Sequence, residues 1–404
     1  MNFEEPTEVR MIRDQVDEFL RQEVEPLESE YDQFLGERGV ERRLDDEGKL
    51  RDEFVDLRDR IRRKSAEAGF LTMHMPESVG GGGVSLLDYL LVTEHVNDRN
   101  PDGFHELMLE TLLTPALTVL HDDEFLRERY FRPMMNAETT VTIGMSEPDH
   151  GSDITWMDTT AERDGDEWVI DGTKCWITNS TFADSIVVFA RTDGADGDAT
   201  GISALIVDRD NPGWELGRIQ RPMGDDEAGR IAYNHFDDCR VPADHLIGEE
   251  GRGLIDVAMP SVGYFRLGIP ARAVGRCQWM FEQCVEYAET RRTFGEPIGS
   301  RQFVKGMLAE MRAEIEAVRW LYRHAAWTFS NGEGERWEQS AAKLLGSRLW
   351  NDVADRAVQI HGGAGYTKSL PFEGEYRNAR VTRIYDGTDE IQKRTIADEF
   401  LDLP

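Results

Sequence analysis

One aspartate is placed where a side chain could do chemistry. Asp386 lies in "RIYDGTDEIQ" between a tyrosine and a glycine, in a predicted break between two helical stretches. A carboxylate in such a break can be presented to a small molecule as a general base. A carboxylate just before a helix is also a common helix cap. These residues alone leave both interpretations open.

Two polar clusters fall in a region rich in predicted strands. In "GMSEPDHGSD", Ser146, Ser152 and the backbone N–H groups could hold an anionic or carbonyl-rich ligand, or form an ordinary polar loop. In "TKCWITN", Trp176 and Thr178 are two residues apart and share one strand face. That pair suits stacking and a hydrogen bond to a heteroaromatic ring; the alternative is a tryptophan of the core.

Two further clusters lie between predicted helices. "RRTFGEPIGSRQ" contains two arginines, which favour phosphate, although cations also collect at the negative end of a helix dipole. In "QIHGGAGYT" the glycines would let a ligand approach the backbone closely. His361 could act as a base, but at the end of a long helix we expect it to be structural. In "GFHELMLETLL", His105, Glu106 and Glu110 either shape a polar pocket or face solvent, and solvent is the expectation.

The charge of the chain excludes several classes of partner. Its 404 residues carry a formal net charge of −32, and only seven of the 46 basic residues are lysine. A protein that binds nucleic acid or anionic lipid needs the opposite sign. An acidic, lysine-poor surface suits a cytoplasm full of salt, where screening removes self-repulsion. We therefore expect a halophilic, cytoplasmic protein; the alternative is an ordinary acidic one.

Metal, disulfide and membrane roles are not expected. The four cysteines form no C-x-x-C pair and no metal spacing with histidine. No apolar run reaches the roughly 18 to 20 residues that cross a bilayer. The sequence "MNFEEPTEVR" is too acidic for a signal peptide.

The periodicity of the chain changes twice. It predicts a helical domain over residues 1–140, a domain of short strands over 141–250 and long helices over 251–404. The strands do not alternate with helices, so a Rossmann domain is excluded, and long helices usually pack as a bundle. One buried helix stripe is predicted from the steps of three and four between Leu308, Met311, Ile315, Val318, Tyr322 and Ala325.

Local signals predict several boundaries. Pro26 and Gly69 are predicted to end helices, and Ser85 to cap a helix after a run of glycines that lacks the phosphate-loop pattern. Asp171 and Gly172 are predicted to form a hairpin turn. The segment "GERGVERRLDDEGK" is interpreted as a solvated insertion.

Five motifs together carry a family resemblance. "MSEPDHGSD", "CWITN", "RRTFGEPI", "QIHGGAGY" and "RIYDGTDEIQ" resemble the acyl-CoA dehydrogenase family, in the family's order and at nearly its spacing. The resemblance covers almost the whole chain. It implies an α+β protein with an N-terminal helical domain, a central antiparallel β domain and a C-terminal four-helix bundle.

The resemblance also implies a cofactor and its contacts. The cofactor is FAD, held between the β domain and the C-terminal helices, and members are commonly homotetramers built as dimers of dimers. The matching positions on the cofactor of the same or a neighbouring subunit are Met145, Ser146, Ser152, Trp176, Thr178, Arg291, Phe294, Gln302, Gln359, Gly363 and Thr388. The positions implied to contact the acyl-CoA substrate are Ser152, Arg266, Tyr385 and Gly387.

The chemistry implied by the resemblance centres on Asp386. It would take the α-proton of an acyl-CoA thioester while the β-hydrogen leaves as hydride to flavin N5, giving a trans-2-enoyl-CoA and passing electrons to an electron-transfer flavoprotein. The family usually has Glu at this position, so the shorter Asp places its carboxylate about 1.5 Å further back. Phe265 occupies a second known base position, and Gly263 stands where many relatives have an Asp.

Two other functions stay open at this stage. A flavin oxidase of the nitroalkane-oxidase type also removes a carbon-bound proton with Asp, and it would make hydrogen peroxide and ignore CoA esters. A non-enzymatic FAD-binding member of the fold would keep its flavin oxidised in the presence of every thioester. The sequence does not specify the length, branching or ring content of the acyl group.

Overall fold

The N-terminal third of the chain is helical, as predicted. The structure is a computed structural model and describes residues 6–401. The α-helices of this part are α1 (Thr7–Phe19), α2 (Glu25–Glu30), α3 (Gly39–Arg43), α4 (Asp52–Glu67), α5 (Leu86–Asn97), α6 (Val119–Asp122), α7 (Glu124–Leu126) and α8 (Arg132–Met135).

Two of the predicted helix boundaries are confirmed and one is wrong. Gly69 follows the end of α4 with φ of +82°, and the hydroxyl of Ser85 caps α5 by accepting from the N–H of Asp88 at 3.1 Å. Pro26 does not end the first helix. A π-helical turn over Leu20–Val24 joins α1 to α2, and Pro26 is the second residue of α2, so the helical stretch continues past it to Glu30.

The segment interpreted as a solvated insertion is only partly on the surface. It forms α3, followed by a bridge between Leu44 and Leu50. The Arg43 side chain turns inward, where its Nε donates to the carbonyl of Phe34 at 2.9 Å and its guanidinium lies over the rings of Phe54 and Phe104.

The middle of the chain forms one eight-stranded sheet. Its strands are β1 (Val141–Gly144), β2 (Thr160–Asp164), β3 (Glu167–Ile177), β4 (Ser185–Arg191), β5 (Ile202–Asp208), β6 (Trp214–Ile219), β7 (Ala232–Pro242) and β8 (Leu246–Ile247). They are ordered β6-β7-β3-β2-β4-β5-β8, with β1 also on β4. The pairing is antiparallel as predicted, except that β4 runs parallel to β1 and to the end of β2.

The predicted hairpin turn at Asp171 and Gly172 is wrong. Both residues lie inside β3, at a shift of register against β7, and Gly172 has φ of +151°. A Cβ on Gly172 would lie 2.4 Å from the Thr159 hydroxyl oxygen. The glycine therefore marks a bulge with close backbone packing. An Asp-Gly pair inside a strand pattern is as typical of such a bulge as it is of a turn.

The C-terminal part is a bundle dominated by three long helices. Its elements are α9 (Met259–Thr290), the hairpin of β9 (Arg292–Thr293) and β10 (Glu296–Pro297), α10 (Gln302–Ser330), α11 (Arg336–His361), α12 (Phe372–Val381) and α13 (Asp389–Asp398). The predicted stripe of α10 is confirmed, since its members from Met311 to Ala325 are buried and Leu308 packs against the same core.

No helix in residues 6–401 is long and apolar enough to cross a membrane. No group of three or more metal-ligating side chains occurs in the same residues. All four cysteines are free and buried.

Candidate functional site

Asp386 lies in a short loop between α12 and α13 whose backbone is held by buried side chains. Its carbonyl accepts from Arg266 Nε at 2.8 Å and Gln392 Nε2 at 3.0 Å, and the carbonyl of Gly387 accepts from Lys343 Nζ at 2.7 Å and Gln392 Nε2 at 2.9 Å. These donors come from three helices, α9, α11 and α13. The bundle therefore sets the position of the loop.

The loop has an unusual backbone conformation. Asp386 has φ of +52° and Gly387 has φ of +89°. A residue other than glycine with positive φ is uncommon and costs free energy, although Asp tolerates this region better than most. A Cβ on Gly387 would meet Gln392 Nε2 at 2.6 Å, so only glycine fits between the loop and the groups that hold it.

The surroundings of Asp386 make its carboxyl a stronger base than an ordinary aspartate. The side chain is half-buried, and burial raises its pKa to about 6. Lys343 and Arg266 oppose that shift, and Glu227 adds to it by repulsion. A pKa near 6 leaves the group ionised at neutral pH, as a general base requires.

The helix-cap interpretation of Asp386 is wrong. The cap of α13 is Thr388, whose hydroxyl accepts from the N–H of Ile391 at 3.3 Å. Asp386 stands two residues before that cap, so its carboxylate is not used to begin the helix.

The two polar clusters of the β domain lie side by side. The N–H of Cys175 donates to the carbonyl of Ser146 at 2.9 Å, which joins the loop after β1 to β3. Trp176 has φ of +61° and is 57% exposed, so β3 presents its indole on the surface. The core interpretation of Trp176 is therefore wrong.

A buried ion pair supports this loop. Lys174 Nζ lies 2.7 Å from Glu147 Oε1 and donates to the carbonyl of Met145 at 3.2 Å, and both side chains are almost fully buried. The Glu147 carboxylate also accepts from the N–H groups of Asp158 and Thr159 at 2.6 and 3.0 Å. The pair ties β3 to both ends of the segment that contains Ser152, an exposed residue.

Thr178 is hydrogen-bonded to a carboxyl group that acts electrostatically on Asp386. Its hydroxyl donates to Glu227 Oε2 at 3.0 Å. Burial raises the pKa of Glu227, and its charge is close enough to raise the pKa of Asp386. Tyr385 lies within electrostatic range of both Arg272 and Glu227. The predicted residues Thr178, Tyr385 and Asp386 therefore face one region.

A second group of predicted residues lies at the other end of the bundle. Arg291 comes 25 positions after Arg266 at the end of α9, which is about 37 Å along a helix. The ring of His361 lies 4.4 Å from that of Tyr287, so α11 ends beside the same end of α9. The exposed members of this group are Arg291, Phe294, Gln302, Gln359 and Gly363. Within one chain they do not reach Asp386.

His361 is structural, as expected. It is buried, its Nδ1 is 2.9 Å from the carbonyl of Ala357, and its ring packs 4.1 Å from that of Phe372. Burial lowers its pKa.

The expectation that His105, Glu106 and Glu110 face solvent is wrong. His105 is buried, and the two glutamates line a cavity beside Thr178. Each glutamate is held by arginines that are distant in sequence, which no local pattern shows. The polar-pocket alternative is the correct one.

Sequence reasoning missed the residues that hold the loop, although one carried a signal. Lys343 occurs in "AAKLLG", an apolar stretch of α11, in a chain with only seven lysines. It is fully buried, and burial lowers its pKa to about 8. Gln392 and Glu227 carried no such signal, because their partners come from other elements.

Comparisons with known proteins show the family of the chain. Profiles described as the N-terminal, middle and C-terminal domains of acyl-CoA dehydrogenase match residues 6–138, 142–239 and 251–401. The chain belongs to the acyl-CoA dehydrogenase family. It is therefore an oxidoreductase that acts on acyl-CoA, and FAD is its cofactor.

Relatives of the family match over most of their length. The mitochondrial short-chain specific acyl-CoA dehydrogenase of Rattus norvegicus is 35% identical over 84% of this chain and 82% of its own. The short-chain specific enzyme of Clostridium acetobutylicum is 32% identical over 98% and 99%. A chain from the structure described as the electron transferring flavoprotein of Acidaminococcus fermentans superposes with a TM-score of 0.83, 32% identity and full coverage of both.

The residues present fit a flavin of this family. An exposed indole held at positive φ offers a flat face to a planar ring, and it lies next to the loop of Met145 and Ser146. Thr178 places a hydroxyl on the same side as Asp386. The site therefore offers a stacking surface and polar groups of the kinds that a flavin ring contacts.

Breaking the Lys174–Glu147 pair should destabilise the β domain. In Lys174→Met the Glu147 carboxylate stays buried without its ammonium, so we expect a loss of about 3–5 kcal/mol in the free energy of unfolding, measured by urea denaturation. The control is Arg240→Gln, which removes an exposed cation near three carboxylates and should leave the free energy of unfolding close to that of the parent. Equal losses in the two variants would contradict the assigned role of the buried pair.

Removing the Asp386 charge should stabilise the protein. Because its pKa is raised in the folded state, the folded chain binds more protons than the unfolded one between about pH 4 and pH 6, so ionisation lowers stability as pH rises through that window. Asp386→Asn should therefore unfold at a higher temperature than the parent at pH 8, with the difference shrinking towards pH 4. Asp153→Asn is the control, since the Asp153 pKa is lowered and its removal should give no gain. An Asp386→Asn variant that is less stable at pH 8 contradicts the assigned electrostatics.

Proposed function

We propose that this protein is an acyl-CoA dehydrogenase in which Asp386 removes the α-proton of the thioester, giving a trans-2-enoyl-CoA. The observation that supports the assignment most directly is the held loop: a carboxyl with a raised pKa, on a left-handed residue fixed by buried donors, facing the region of Thr178. The cofactor supplies the acceptor for the β-hydride when it is bound.

The loop can also stabilise the charge that develops on the substrate. Within the described residues, the backbone N–H of Asp386 donates to no protein acceptor. Its carbonyl, in contrast, is fixed by Arg266 and Gln392. We propose that this N–H donates to the thioester oxygen, where an enolate develops as the proton leaves.

Arg266 acts in this proposal mainly by positioning. Its Nε is used to hold the carbonyl of Asp386, at 2.8 Å. Contact of Arg266, Tyr385, Gly387 and Ser152 with substrate remains a prediction. So do the contacts of the cofactor with Met145, Ser146, Trp176, Thr178 and Thr388, and the domain boundaries at residues 140 and 250.

The distant group of residues supports a proposed homotetramer. Phe294 is 97% exposed at the tip of the β9–β10 hairpin and has φ of +52°, which suits contact with another copy. Phe303, at 87% exposed, and Tyr366, at 81%, lie on the same part of the chain. We propose that this surface contacts a neighbouring subunit and its cofactor.

The proposed electron acceptor is an electron-transfer flavoprotein. Its support is the family and the similarity to the chain in the Acidaminococcus fermentans structure. The cytoplasmic, salt-adapted character inferred from the charge stays a prediction.

Anaerobic flavin bleaching tests the role of Asp386. An acyl-CoA that is a substrate should bleach the flavin absorbance of the holoprotein without oxygen. Asp386→Asn should keep its FAD, and its rate of flavin bleaching should fall ~10²-fold or more, because no base removes the α-proton. Asp386→Glu keeps a carboxylate and should bleach at a changed but measurable rate, and Asp153→Asn should match the parent. Full bleaching by Asp386→Asn would reject the assignment, and peroxide formed from nitroalkanes without bleaching by any thioester would favour the oxidase.

The pH dependence of bleaching gives a second test. The base must be unprotonated, and its pKa is about 6, so kcat/KM for flavin reduction should fall as pH drops through 6 and level off above it. An ordinary aspartate would keep its activity to about pH 4. A profile that is flat down to pH 5 would contradict the raised pKa of Asp386.

A further inference from the structure

A cavity of about 340 Å³ opens beside the proposed active site. It lies between α5, the segment 103–112, the loop 226–230 and α9, and Thr178 and Glu227 form part of its wall. The same two residues are joined by a hydrogen bond, and Glu227 acts electrostatically on Asp386. The cavity is therefore placed to receive the part of an acyl group that extends beyond the reacting carbons.

The wall of this cavity is charged, which is unexpected for a pocket that takes a hydrocarbon chain. Its guanidinium groups belong to Arg43, Arg58, Arg62, Arg230, Arg272 and Arg276. Its carboxyl groups belong to Glu106, Glu110, Asp226 and Glu227. Arg58 and Arg276 are 1% and 2% exposed. Binding a purely apolar chain here would bury these groups further from water without giving them a partner.

The carboxylates of the wall are shared between arginines. Glu106 pairs with Arg272 and Arg276, each at 2.7 Å. Glu110 pairs with Arg58 at 2.7 Å and Arg230 at 3.1 Å. Glu106 and Glu110 are thus each shared between two guanidinium groups, and Arg272 also pairs with Asp226 at 2.8 Å.

Carboxylates behind the wall also pair with its arginines. Asp59 pairs with Arg58 and Arg62, and Glu375 pairs with Arg276 at 2.7 Å. They bring the carboxyl groups to six, equal to the arginines. Burial, however, raises the pKa of Glu227 and raises that of Glu375 to about 7, which favours the protonated form of both.

Two of the arginines are the least compensated. Burial, with repulsion from Arg230, lowers the pKa of Arg43 to about 10, and burial with repulsion from Arg58 does the same for Arg62. Among the described residues, no carboxylate lies within ion-pair distance of Arg43. A small anion in the cavity would be attracted to both.

We propose that the cavity binds a carboxylate at the distal end of the acyl group, so that the substrate is the CoA monothioester of a short dicarboxylic acid. This inference rests on the proposed function and adds the substrate class. Arginine suits the task because its planar guanidinium binds a carboxylate through two parallel hydrogen bonds. A terminal methyl group would only remove water from the arginines of the wall, whereas a carboxylate in its place would form charge-assisted hydrogen bonds with them.

The first experiment compares matched pairs of thioesters. Glutaryl-CoA against pentanoyl-CoA, and adipoyl-CoA against hexanoyl-CoA, differ only at the distal end. In the pair whose chain length fits the cavity better, we expect kcat/KM for anaerobic flavin reduction to be at least ~10²-fold higher for the ester with a distal carboxylate. We expect 5-aminopentanoyl-CoA to have the lowest kcat/KM of the five-carbon esters. Equal or greater kcat/KM for the methyl esters would overturn the inference while leaving the dehydrogenase assignment in place.

The second experiment measures binding without turnover. Titration of the Asp386→Asn holoprotein in a calorimeter should give a Kd for glutaryl-CoA at least ~10-fold lower than for pentanoyl-CoA. Equal Kd values would overturn the inference, whatever the activity assay shows. If no thioester bleaches the parent flavin, the proposed function fails and this titration still decides the substrate class.

A variant links the preference to the cavity. Arg43→Gln leaves no ion-pair partner behind, and it should reduce the carboxylate-to-methyl ratio of kcat/KM by about tenfold or more. Arg129→Gln is the matched control, since Arg129 pairs with Asp208 at 2.6 Å on the exposed face of the β domain, and it should keep the ratio of the parent. An unchanged ratio in folded Arg43→Gln holoprotein would contradict the assigned role of Arg43.

Discussion

The position of the Asp386 carboxylate depends on hydrogen bonds to two successive backbone carbonyls of its loop. Three buried donors, Arg266, Lys343 and Gln392, converge on two successive carbonyls, those of Asp386 and Gly387. Without them, two successive left-handed residues would relax to a conformation of lower energy. The packing of α9, α11 and α13 therefore sets where the Asp386 carboxylate points, because each helix brings one donor.

Lysine has a distinct use in this chain. Lys174 and Lys343 are both fully buried, and each donates to a backbone carbonyl of a loop in the candidate site, that of Met145 or of Gly387. An ammonium is compact and fits among carbonyl groups where a planar guanidinium does not. The chain thus uses arginine almost everywhere else and keeps two of its few lysines for positions where a small cation is needed.

The charged cavity shows the same conflict between stability and function as Asp386. Six arginines and four carboxyl groups are withdrawn from water around a space of about 340 Å³. Ion pairs offset much of the desolvation cost, but replacing such groups by apolar side chains is often more stabilising. Their presence near Asp386 is consistent with the proposed carboxylate-bearing substrate.

The sequence by itself determined the order of helices and strands and the family, because periodicity and short motifs are local properties. The buried stripe of α10, the cap at Ser85 and the positions of Trp176, Thr178 and Asp386 were all accessible in this way. The sequence also identified Asp386 as a candidate base, although it did not indicate that its pKa is raised.

Only the tertiary structure decided which polar groups face the site. Glu106 meets Arg272 and Arg276 from positions 166 and 170 residues earlier in the chain, and Arg43 turns inward from a segment that reads as polar surface. The glycine of β3 packs against Thr159 in a bulge, where its sequence predicts a turn. In each case the deciding contact joins residues that are far apart in sequence, and its free energy depends on burial that no local pattern encodes.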